Sequence, residues 1–372
     1  MNSRQRVEYA INLKEPDRVP IDVGSTACNI TNNLFFKVKK ILEISSKDTF
    51  FRPDESAAYY NDDVLEKLGT DFRHIFLMPP DDKSMNVSKE GILTNEWGIK
   101  KRNIGGLIEN ISNPLKDAQI YDLDHYNWPN ADKGNRARGL KERAKNIFKV
   151  TDYAIAARSV SHGFFEVSWE LRGMEKFLED MIINKRFANR LLDKVLDIQI
   201  KLYEKLLHET EKYVQIVETA DDYGTQNGLM MSPKMFKEFI KPRRKELNSV
   251  IKSLAPRVKI FHHSCGGILK IIEQLIDTGV EILNPVQPLA SGMDSFNLKK
   301  QYGNVLCFHG GIDEQKALPG CKENLEKEIQ LRIDAFAPGG GYIAAPTSNF
   351  QEDTPIENIF LFLSKVKKYG KY

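Results

Sequence analysis

Residues 258–268 read V-K-I-F-H-H-S-C-G-G-I and contain two side chains that are well suited to binding a metal ion. The apolar start is typical of a buried strand, in which side chains i and i+2 point to the same face. We therefore expect His263 and Cys265 to point together, with His262 and Ser264 on the other face. An imidazole and a thiolate are two of the three protein ligands of a typical catalytic zinc ion. The alternative is a partly buried cysteine beside a hydrogen-bonded histidine, because the short H-x-C spacing alone does not specify a metal.

The chain that positions these residues alternates apolar runs with helical sequence. The apolar runs predict strands at 18–24, 71–78, 153–159, 214–220, 258–264, 280–286, 304–310 and 341–346. Near-continuous apolar strands between helices indicate a parallel sheet that is covered on both faces. Eight such units predict a (β/α)8 TIM barrel that forms one domain over residues 1–372. An open doubly wound sheet is the alternative, but no G-x-G-x-x-G motif follows the first strand.

Helical patterns fill most of the remaining sequence. They predict helices at 2–13, 34–44, 56–68, 131–146, 165–183, 187–208, 233–254, 268–277, 296–302, 322–336 and 355–369. Residues 79–130 interrupt the alternation with short β-like pieces at 92–102 and 107–111, followed by an acidic turn that contains proline. We interpret this region as a cap inserted after the second strand.

Polar residues are concentrated where the predicted strands end. These residues are Asp22, Ser25 and Cys28 after the first strand; Glu218, Asp221 and Asp222 after the fourth; His263 and Cys265; Asn284 and Gln287; Cys307, His309 and Asp313; and Ser348 and Asn349. Active sites of barrels lie at the carboxyl ends of the strands, so this ring predicts a site there. Gly266 and Gly267 are expected to leave room for another group to approach the backbone closely.

Composition limits the class of protein. A net charge of +3 is too small to indicate binding to nucleic acid or to an anionic membrane. No apolar run approaches the roughly 18 residues of a membrane span, and residues 1–13 lack the apolar core of a secretory signal. Four widely spaced cysteines in 372 residues do not form the pattern of a disulfide framework. We therefore expect a cytoplasmic protein.

Several motifs together resemble the uroporphyrinogen decarboxylase-like superfamily over nearly the whole chain. They are F-E-V-S-W-E-L-R-G-M-E-K-F-L (165–178), D-D-Y-G-T-Q (221–226), S-P-K-M-F-K-E-F-I-K-P (232–242), H-S-C-G-G (263–267), G-V-E-I-L-N-P-V-Q (279–287), H-G-G-I-D (309–313) and D-T-P-I-E-N-I (353–359). That superfamily contains true decarboxylases and cobalamin-linked methyltransferases. The resemblance therefore implies a barrel and one of these two activities.

Three departures from the decarboxylase pattern favour the methyltransferase branch. Decarboxylases carry an R-Q-A-G-R-Y loop that holds carboxylates, whereas residues 22–31 read D-V-G-S-T-A-C-N-I-T and contain no arginine. An aspartate that binds the pyrrole N–H groups is replaced by the apolar run 75–78, and a histidine of the final loop by Ser348. The resemblance thus implies methyl transfer between a small-molecule donor or acceptor and a corrinoid protein.

Several members of that branch hold zinc with an H-x-C pair and a later cysteine, and here the corresponding loop, 345–351, has no cysteine. Catalytic roles are assigned to His263, Cys265 and Asp222. For the third ligand, Asp222 and Glu218 are ranked above Cys307, which lies below the end of its strand. Cofactor-binding roles are assigned to Asn284, Gln287, Asp313 and Asn349.

Other interpretations of the sequence stay open. They are a chain that binds no zinc, decarboxylation of a tetrapyrrole, and a non-catalytic barrel that binds a corrinoid or porphyrin. The sequence does not specify the methyl donor, the direction of transfer or whether the chain forms homo-oligomers.

Overall fold

The fold is built on a seven-stranded parallel sheet in which neighbours in sequence are neighbours in space. The structure is a computed structural model, and it describes residues 1–81 and 85–372. The strands are β1 (Phe72–Ile75), β2 (Ala154–Ala157), β3 (Ile216–Ala220), β4 (Lys259–His263), β5 (Ile282–Asn284), β6 (Cys307–Ile312) and β7 (Tyr342–Pro346). Each corresponds to a predicted strand, so the prediction of an α/β protein with a parallel sheet is confirmed.

The first predicted strand, at 18–24, is not a regular strand in the structure. Ile21 forms an isolated bridge with Ala344 of β7, and its carbonyl accepts a hydrogen bond from the Asp71 N–H at 2.9 Å. Residues around Ile21 therefore lie between β7 and the chain that leads into β1. A ladder cannot form because Pro20 has no N–H, and because the N–H of Ile21 donates to the Asp71 carboxylate at 2.8 Å.

Helices follow the strands, and the helix predicted at 131–146 begins only at Leu140. They span Ser3–Ile11, Asn32–Ile41, Asp62–Leu68, Asp122–His125, Leu140–Val150, Phe164–Arg172, Met174–Ile183, Lys185–Leu207, Pro233–Met235, Lys241–Leu254, Ile272–Asp277, Ser295–Tyr302, Lys322–Phe336 and Ile356–Tyr369, with a π-helix at Phe236–Ile240 and a 3-10 turn at Leu269–Ile271. The helix predicted at 165–183 is divided at Gly173, whose φ of +91° lies outside the helical region. None of the helices in the described ranges is long and apolar enough to cross a membrane.

The helix predicted at 56–68 begins only at Asp62. The residues before it, Tyr59–Tyr60, pair as a short antiparallel ladder with Thr49–Phe50. Asn61 then caps the helix, because its side chain accepts hydrogen bonds from the backbone N–H groups of two following residues. The predicted C-cap, Gly69, adopts the left-handed conformation with φ of +71°.

The described part of region 79–130 contains a four-stranded antiparallel sheet. Its strands are Asn86–Val87, Leu93–Thr94, Lys100–Ile104 and Leu107–Asn110. This sheet is held to the main body by side-chain contacts, such as the hydrogen bond of 2.8 Å from Asn110 to Glu170. Part of the predicted cap, residues 82–84, lies outside the described residues.

A small apolar cluster shows which end of the parallel sheet is covered. It joins the first helix to residues at or near the amino ends of the strands, and its members are Val7, Ala10, Ile11, Phe72, Ala154, Ala156, Ile216, Phe261, Ile282, Cys307 and Ile343. The helix Ser3–Ile11 therefore closes the amino end of the sheet. The polar residues discussed next lie at the opposite end.

Candidate metal centre

Three side chains with metal-binding atoms meet at the carboxyl ends of β3 and β4. His263 is the last residue of β4, Cys265 follows two residues later, and Asp222 lies two residues beyond β3. The Cys265 Sγ is 3.4 Å from the His263 Nε2, and the Asp222 Oδ1 is 3.5 Å from the same nitrogen. One ligand atom from each residue lies within 4.8 Å of the others. The prediction that His263 and Cys265 point together is confirmed.

Hydrogen bonds hold each of the three residues in place. The backbone N–H of Cys265 donates to the Asp222 Oδ1 at 2.7 Å, and the His263 Nδ1 lies 2.6 Å from the Asn284 Oδ1. Gln287 accepts a hydrogen bond of 2.7 Å from the Gly266 N–H, and its amide nitrogen lies 3.6 Å from the Cys265 Sγ. These contacts leave the Nε2, the Sγ and a carboxylate oxygen directed toward one another.

The alternate residues of the segment point away, as predicted. His262 is fully buried, and its Nδ1 lies 3.0 Å from the Thr219 hydroxyl. Burial, with a contribution from Arg244, lowers the pKa of His262 well below its ordinary value. The Ser264 Oγ accepts a hydrogen bond from the Tyr223 N–H at 3.1 Å. Both residues therefore support the fold behind Asp222, His263 and Cys265.

The surroundings of Cys265 are rich in carboxyl groups, and this favours a bound cation. Burial raises the pKa of the Cys265 thiol well above its ordinary value, and the carboxylates of Asp222, Glu166 and Glu314 raise it further. Burial also raises the pKa of Glu166, with Asp222 as the next cause, and it raises the pKa of Glu314 to about 7. A divalent cation at this position would be stabilised by the same charges that disfavour the free thiolate.

Glu166 and Glu314 were not recognised in the sequence as site residues. Glu314 directly follows the H-G-G-I-D motif at the end of β6, so its place at a strand end was a usable signal. Glu166 is on the helix Phe164–Arg172 and reaches the site only because that helix begins beside Asp221. No sequence spacing relates Glu166 to Cys265.

A second group of possible metal ligands lies deeper, and all of its members are buried. It consists of Asp22, Cys28 and His309. The Asp22 Oδ2 lies 3.0 Å from the His309 Nε2, and its Oδ1 lies 3.3 Å from the Nε2 of His74. Burial disfavours the Asp22 charge, but His74 and His309 hold the pKa of Asp22 below its ordinary value. His74, in strand β1, was not identified from the sequence.

Glu218 and Cys307 belong to neither group among the described residues. The Glu218 carboxylate accepts a hydrogen bond from the Thr26 N–H at 2.7 Å, and its other oxygen lies 3.8 Å from the His74 Nε2. Cys307 is the first residue of β6 and lies in the apolar cluster at the amino end of the sheet. Burial raises the pKa of the Cys307 thiol to about 12. Of the three third ligands considered in the sequence analysis, only Asp222 is placed beside His263.

The remaining predicted binding residues make contacts that order the loops. Asp313 accepts hydrogen bonds from the backbone N–H groups of residues 315–317. The Asn349 side chain accepts one from the Asn29 N–H at 2.8 Å. Asn284 lies between the rings of His263 and His309. None of these contacts tests the predicted role in cofactor binding, which stays a prediction.

Asp221 supports the cluster through hydrogen bonds and a buried ion pair. Its carboxylate accepts hydrogen bonds from the backbone N–H groups of Phe165 and Glu166, which start a helix, and it pairs with the buried Arg244 at 3.0 Å. Burial raises the pKa of Asp221 to about 6 despite the opposing charge of Arg244. Gly163 is required here, because a Cβ on it would lie 2.0 Å from the Asp221 Cγ.

The backbone room expected at Gly266 and Gly267 is present, and another part of the chain occupies it. Gly266 has a φ of +85°, and a Cβ on it would lie 2.4 Å from the backbone of Gly224. The Gly267 N–H donates to the Thr225 carbonyl at 2.8 Å. The two glycines thus allow the loop that bears Cys265 to pack against residues 224–225.

A cavity lies between the end of β1, the loop 51–55 and the described part of region 79–130. Aromatic and paired charged side chains line it, among them Phe51, Glu55, Phe76, Trp97, Lys101, Arg136, His162 and Glu170. His162 lies 2.7 Å from Glu55 and 3.1 Å from Glu170. Glu170 is one turn beyond Glu166 on the same helix, so one helical turn separates the cavity from the groups around Cys265.

Comparison with known proteins relates the chain to one protein family and to solved structures. A family model described as uroporphyrinogen decarboxylase (URO-D) matches residues 152–369, while no curated protein matches the sequence. A methyltransferase from Methanosarcina mazei is similar in structure, with a TM-score of 0.66 at 18% identity over 99% of each chain. A beta-1,4-D-mannanase from Cryptopygus antarcticus has a TM-score of 0.40 at 9% identity, over 95% of this chain and 91% of that one. The likeness to the Methanosarcina mazei protein shows a common fold along nearly the full length.

Proposed function

The chain belongs to the uroporphyrinogen decarboxylase family, and on this premise we propose that it is a methyltransferase acting between a small molecule and a corrinoid protein. The observation that carries the proposal is the cluster of Asp222, His263 and Cys265 at the carboxyl ends of two neighbouring strands. Catalytic groups of barrel enzymes come from these strand ends. We interpret the fold accordingly as a TIM-type barrel that residues 18–24 complete and that the antiparallel sheet of region 79–130 caps.

The donor atoms of the cluster suit zinc. A nitrogen, a sulfur and an oxygen are accepted zinc ligands, and a catalytic zinc site keeps one position open for substrate. Asp222 and Cys265 are both partly exposed, so the cluster is accessible from the strand ends. Zinc, when bound, supplies a Lewis acid for the heteroatom that gains or loses the methyl group.

The protein contributes orientation and proton handling. Gln287 and Asp222 hold the loop that bears Cys265, and Asn284 holds the ring of His263. We assign to Glu314, which lies two residues beyond β6 at the same end of the sheet as the cluster, the exchange of a proton with the heteroatom; burial raises its pKa to about 7. The corrinoid would come with a partner protein, and its cobalt chemistry belongs to that cofactor.

The cavity lined by His162 and Glu170 is the place we propose for the small molecule. Two of its cationic side chains are already paired, Arg136 with Glu96 and Lys101 at 3.7 Å from Asp54, and Arg52 donates a hydrogen bond to the Ser159 backbone carbonyl. A substrate with several carboxylates would have to break these pairs, which is costly in a partly dry site. This argues against decarboxylation of uroporphyrinogen.

The four free cysteines accord with the reducing cytoplasm, where we place the protein.

The test combines metal analysis with a methyl-transfer assay. The purified protein, supplied with zinc, is incubated with cob(I)alamin and separate methyl ethers, methylamines and methyl thioethers. Formation of methylcobalamin is followed in the visible spectrum, with Cys265→Ser as the matched control. We expect the wild type to bind one equivalent of zinc and to transfer a methyl group from one of the donor classes. The Cys265→Ser variant should show no such transfer. Conversion of uroporphyrinogen to coproporphyrinogen at a higher rate would contradict the proposal.

A further inference from the structure

A single side-chain amide, that of Asn284, connects the two groups of possible metal ligands. Its Oδ1 lies 2.6 Å from the Nδ1 of His263, and its Nδ2 lies 2.8 Å from the Nδ1 of His309. The Nδ2 also lies 3.4 Å from the backbone carbonyl oxygen of His309. This last contact supports the orientation of the amide, because the reverse orientation would place two oxygen atoms against each other.

The orientation of the amide determines the tautomer of each ring. An amide oxygen only accepts, so the Nδ1 of His263 carries the hydrogen, and its Nε2 presents a lone pair toward Cys265 and Asp222. An amide NH2 only donates, so the Nδ1 of His309 accepts. The hydrogen of the neutral His309 ring is therefore on Nε2, where it donates to the Asp22 carboxylate at 3.0 Å.

We infer that Asn284 is a positioning residue that allows His263 to bind a metal and prevents His309 from doing so. A metal binds an imidazole nitrogen that carries no hydrogen. For His309 to bind through Nε2, its Nδ1 would have to hold the hydrogen and face the Asn284 oxygen. The amide would then turn its NH2 toward His263 and leave the hydrogen on that ring's Nε2. One amide therefore supports only one of the two metal groups.

The inference shares with the proposed function only the metal at His263, and its first test needs no metal. The metal-free protein is labelled with 15N-histidine, and two-bond nitrogen–hydrogen correlations report the tautomer of each ring. His263→Gln and His309→Gln assign the signals by their loss. We expect the hydrogen on Nδ1 in His263 and on Nε2 in His309. The opposite tautomer in either ring would overturn the inference, whether or not methyl transfer is found.

The second test changes which groups bind zinc. In the wild type, Cys28→Ser should leave one equivalent of zinc per chain, whereas Cys265→Ser should remove it. Asn284→Asp places a carboxylate that accepts a hydrogen bond from the Nδ1 of both rings. The hydrogen of His309 then moves to Nδ1, and its Nε2 is left able to bind a metal. This variant should take up a second equivalent of zinc, and the double variant Asn284→Asp/Cys28→Ser should lose it.

Cobalt(II) in place of zinc gives a thiolate charge-transfer band that distinguishes the two cysteines. We expect this band to survive Cys28→Ser and to disappear in Cys265→Ser in the wild-type background. Loss of metal from the wild type on Cys28→Ser would overturn the inference. A folded Asn284→Asp protein that still binds only one equivalent of zinc would also overturn the inference.

Discussion

The carboxylate of Asp222 accepts a hydrogen bond of 2.7 Å from the backbone N–H of Cys265. This contact joins the loops after two neighbouring strands, β3 and β4, and places the same Oδ1 3.5 Å from the His263 Nε2. Since the contact is to backbone, Asp222 shapes the loop as well as offering a ligand. Changes at Asp222 can therefore separate these two effects.

Replacing Asp222 should weaken zinc binding in steps. Asp222→Asn keeps an oxygen that accepts from the Cys265 N–H but removes the charge, whereas Asp222→Ala removes both. We expect a loss of affinity of at least about tenfold for Asp222→Asn and a larger loss for Asp222→Ala. Competition with a chelator measures it. Asp132→Ala, at a side chain that is 87% exposed, is the control. Unchanged affinity in Asp222→Ala would remove Asp222 from the ligand set.

Cys307→Ser and Glu218→Gln should both retain zinc. Cys307 lies in an apolar cluster at the amino end of the sheet, and Glu218→Gln keeps an oxygen for the Thr26 N–H. The folded fraction of each variant is analysed for metal beside Cys265→Ser, which should contain none. If zinc is lost from Cys307→Ser alongside Cys265→Ser, the third ligand is the cysteine.

The H-x-C pair was predictable because strand alternation is a local property. A spacing of two residues at the end of one strand is enough to bring His263 and Cys265 together, and their side chains lie 3.4 Å apart. The order of strands and helices was predictable for a similar reason, since apolar runs and helical periods are read over short windows.

The contributions of His74 and Glu166 were not predictable. The ring of His74 reaches the Asp22 carboxylate, and Glu166 acts on Cys265, through packing between elements that are distant in sequence. The failure of residues 18–24 to form a regular strand has the same origin. The N–H of Ile21 donates to Asp71, a residue 50 positions away.

Arg244→Met should strongly destabilise the fold. Arg244 and Asp221 are both fully buried and lie 3.0 Å apart, so removal of the cation leaves a buried carboxylate without its partner. We expect a loss of about 3–5 kcal/mol in the free energy of unfolding, measured by urea denaturation. Lys241→Met, which breaks the more exposed pair with Asp277, should cost about 0–1 kcal/mol. Equal losses in the two variants would contradict the role of the buried pair.

Glu314 should make the metal-free protein less stable as pH rises. Burial raises its pKa from 4.5 to about 7, so between these values the folded chain keeps a proton that the unfolded chain has released. The stabilisation from this proton is complete below pH 4.5 and is lost as pH rises toward 7. Relative to wild type, Glu314→Gln should gain on the order of 1 kcal/mol between pH 5 and pH 7. Urea denaturation at several pH values measures the change, and the exposed Glu323→Gln should leave the pH dependence of the wild type unaltered.

Gly266→Ala and Gly279→Ala form a matched pair that isolates the close approach of two loops. Both glycines have similar positive φ values, +85° and +93°, but a Cβ at Gly279 would meet no atom within 4 Å. Gly279→Ala should therefore cost only the backbone strain, about 1–2 kcal/mol. At Gly266 the Cβ would in addition lie 2.4 Å from the Gly224 backbone, so the loop that bears Cys265 must move.

We therefore expect Gly266→Ala to cost more in the free energy of unfolding than Gly279→Ala, and it should also lower zinc affinity. Denaturation and chelator competition on the same preparations separate the two effects. Displacement of this loop moves the Sγ away from His263, because the N–H groups of Cys265 and Gly266 are what Asp222 and Gln287 hold. If zinc affinity stayed at the wild-type level in a folded Gly266→Ala protein, the packing against residues 224–225 would not be what positions the thiol.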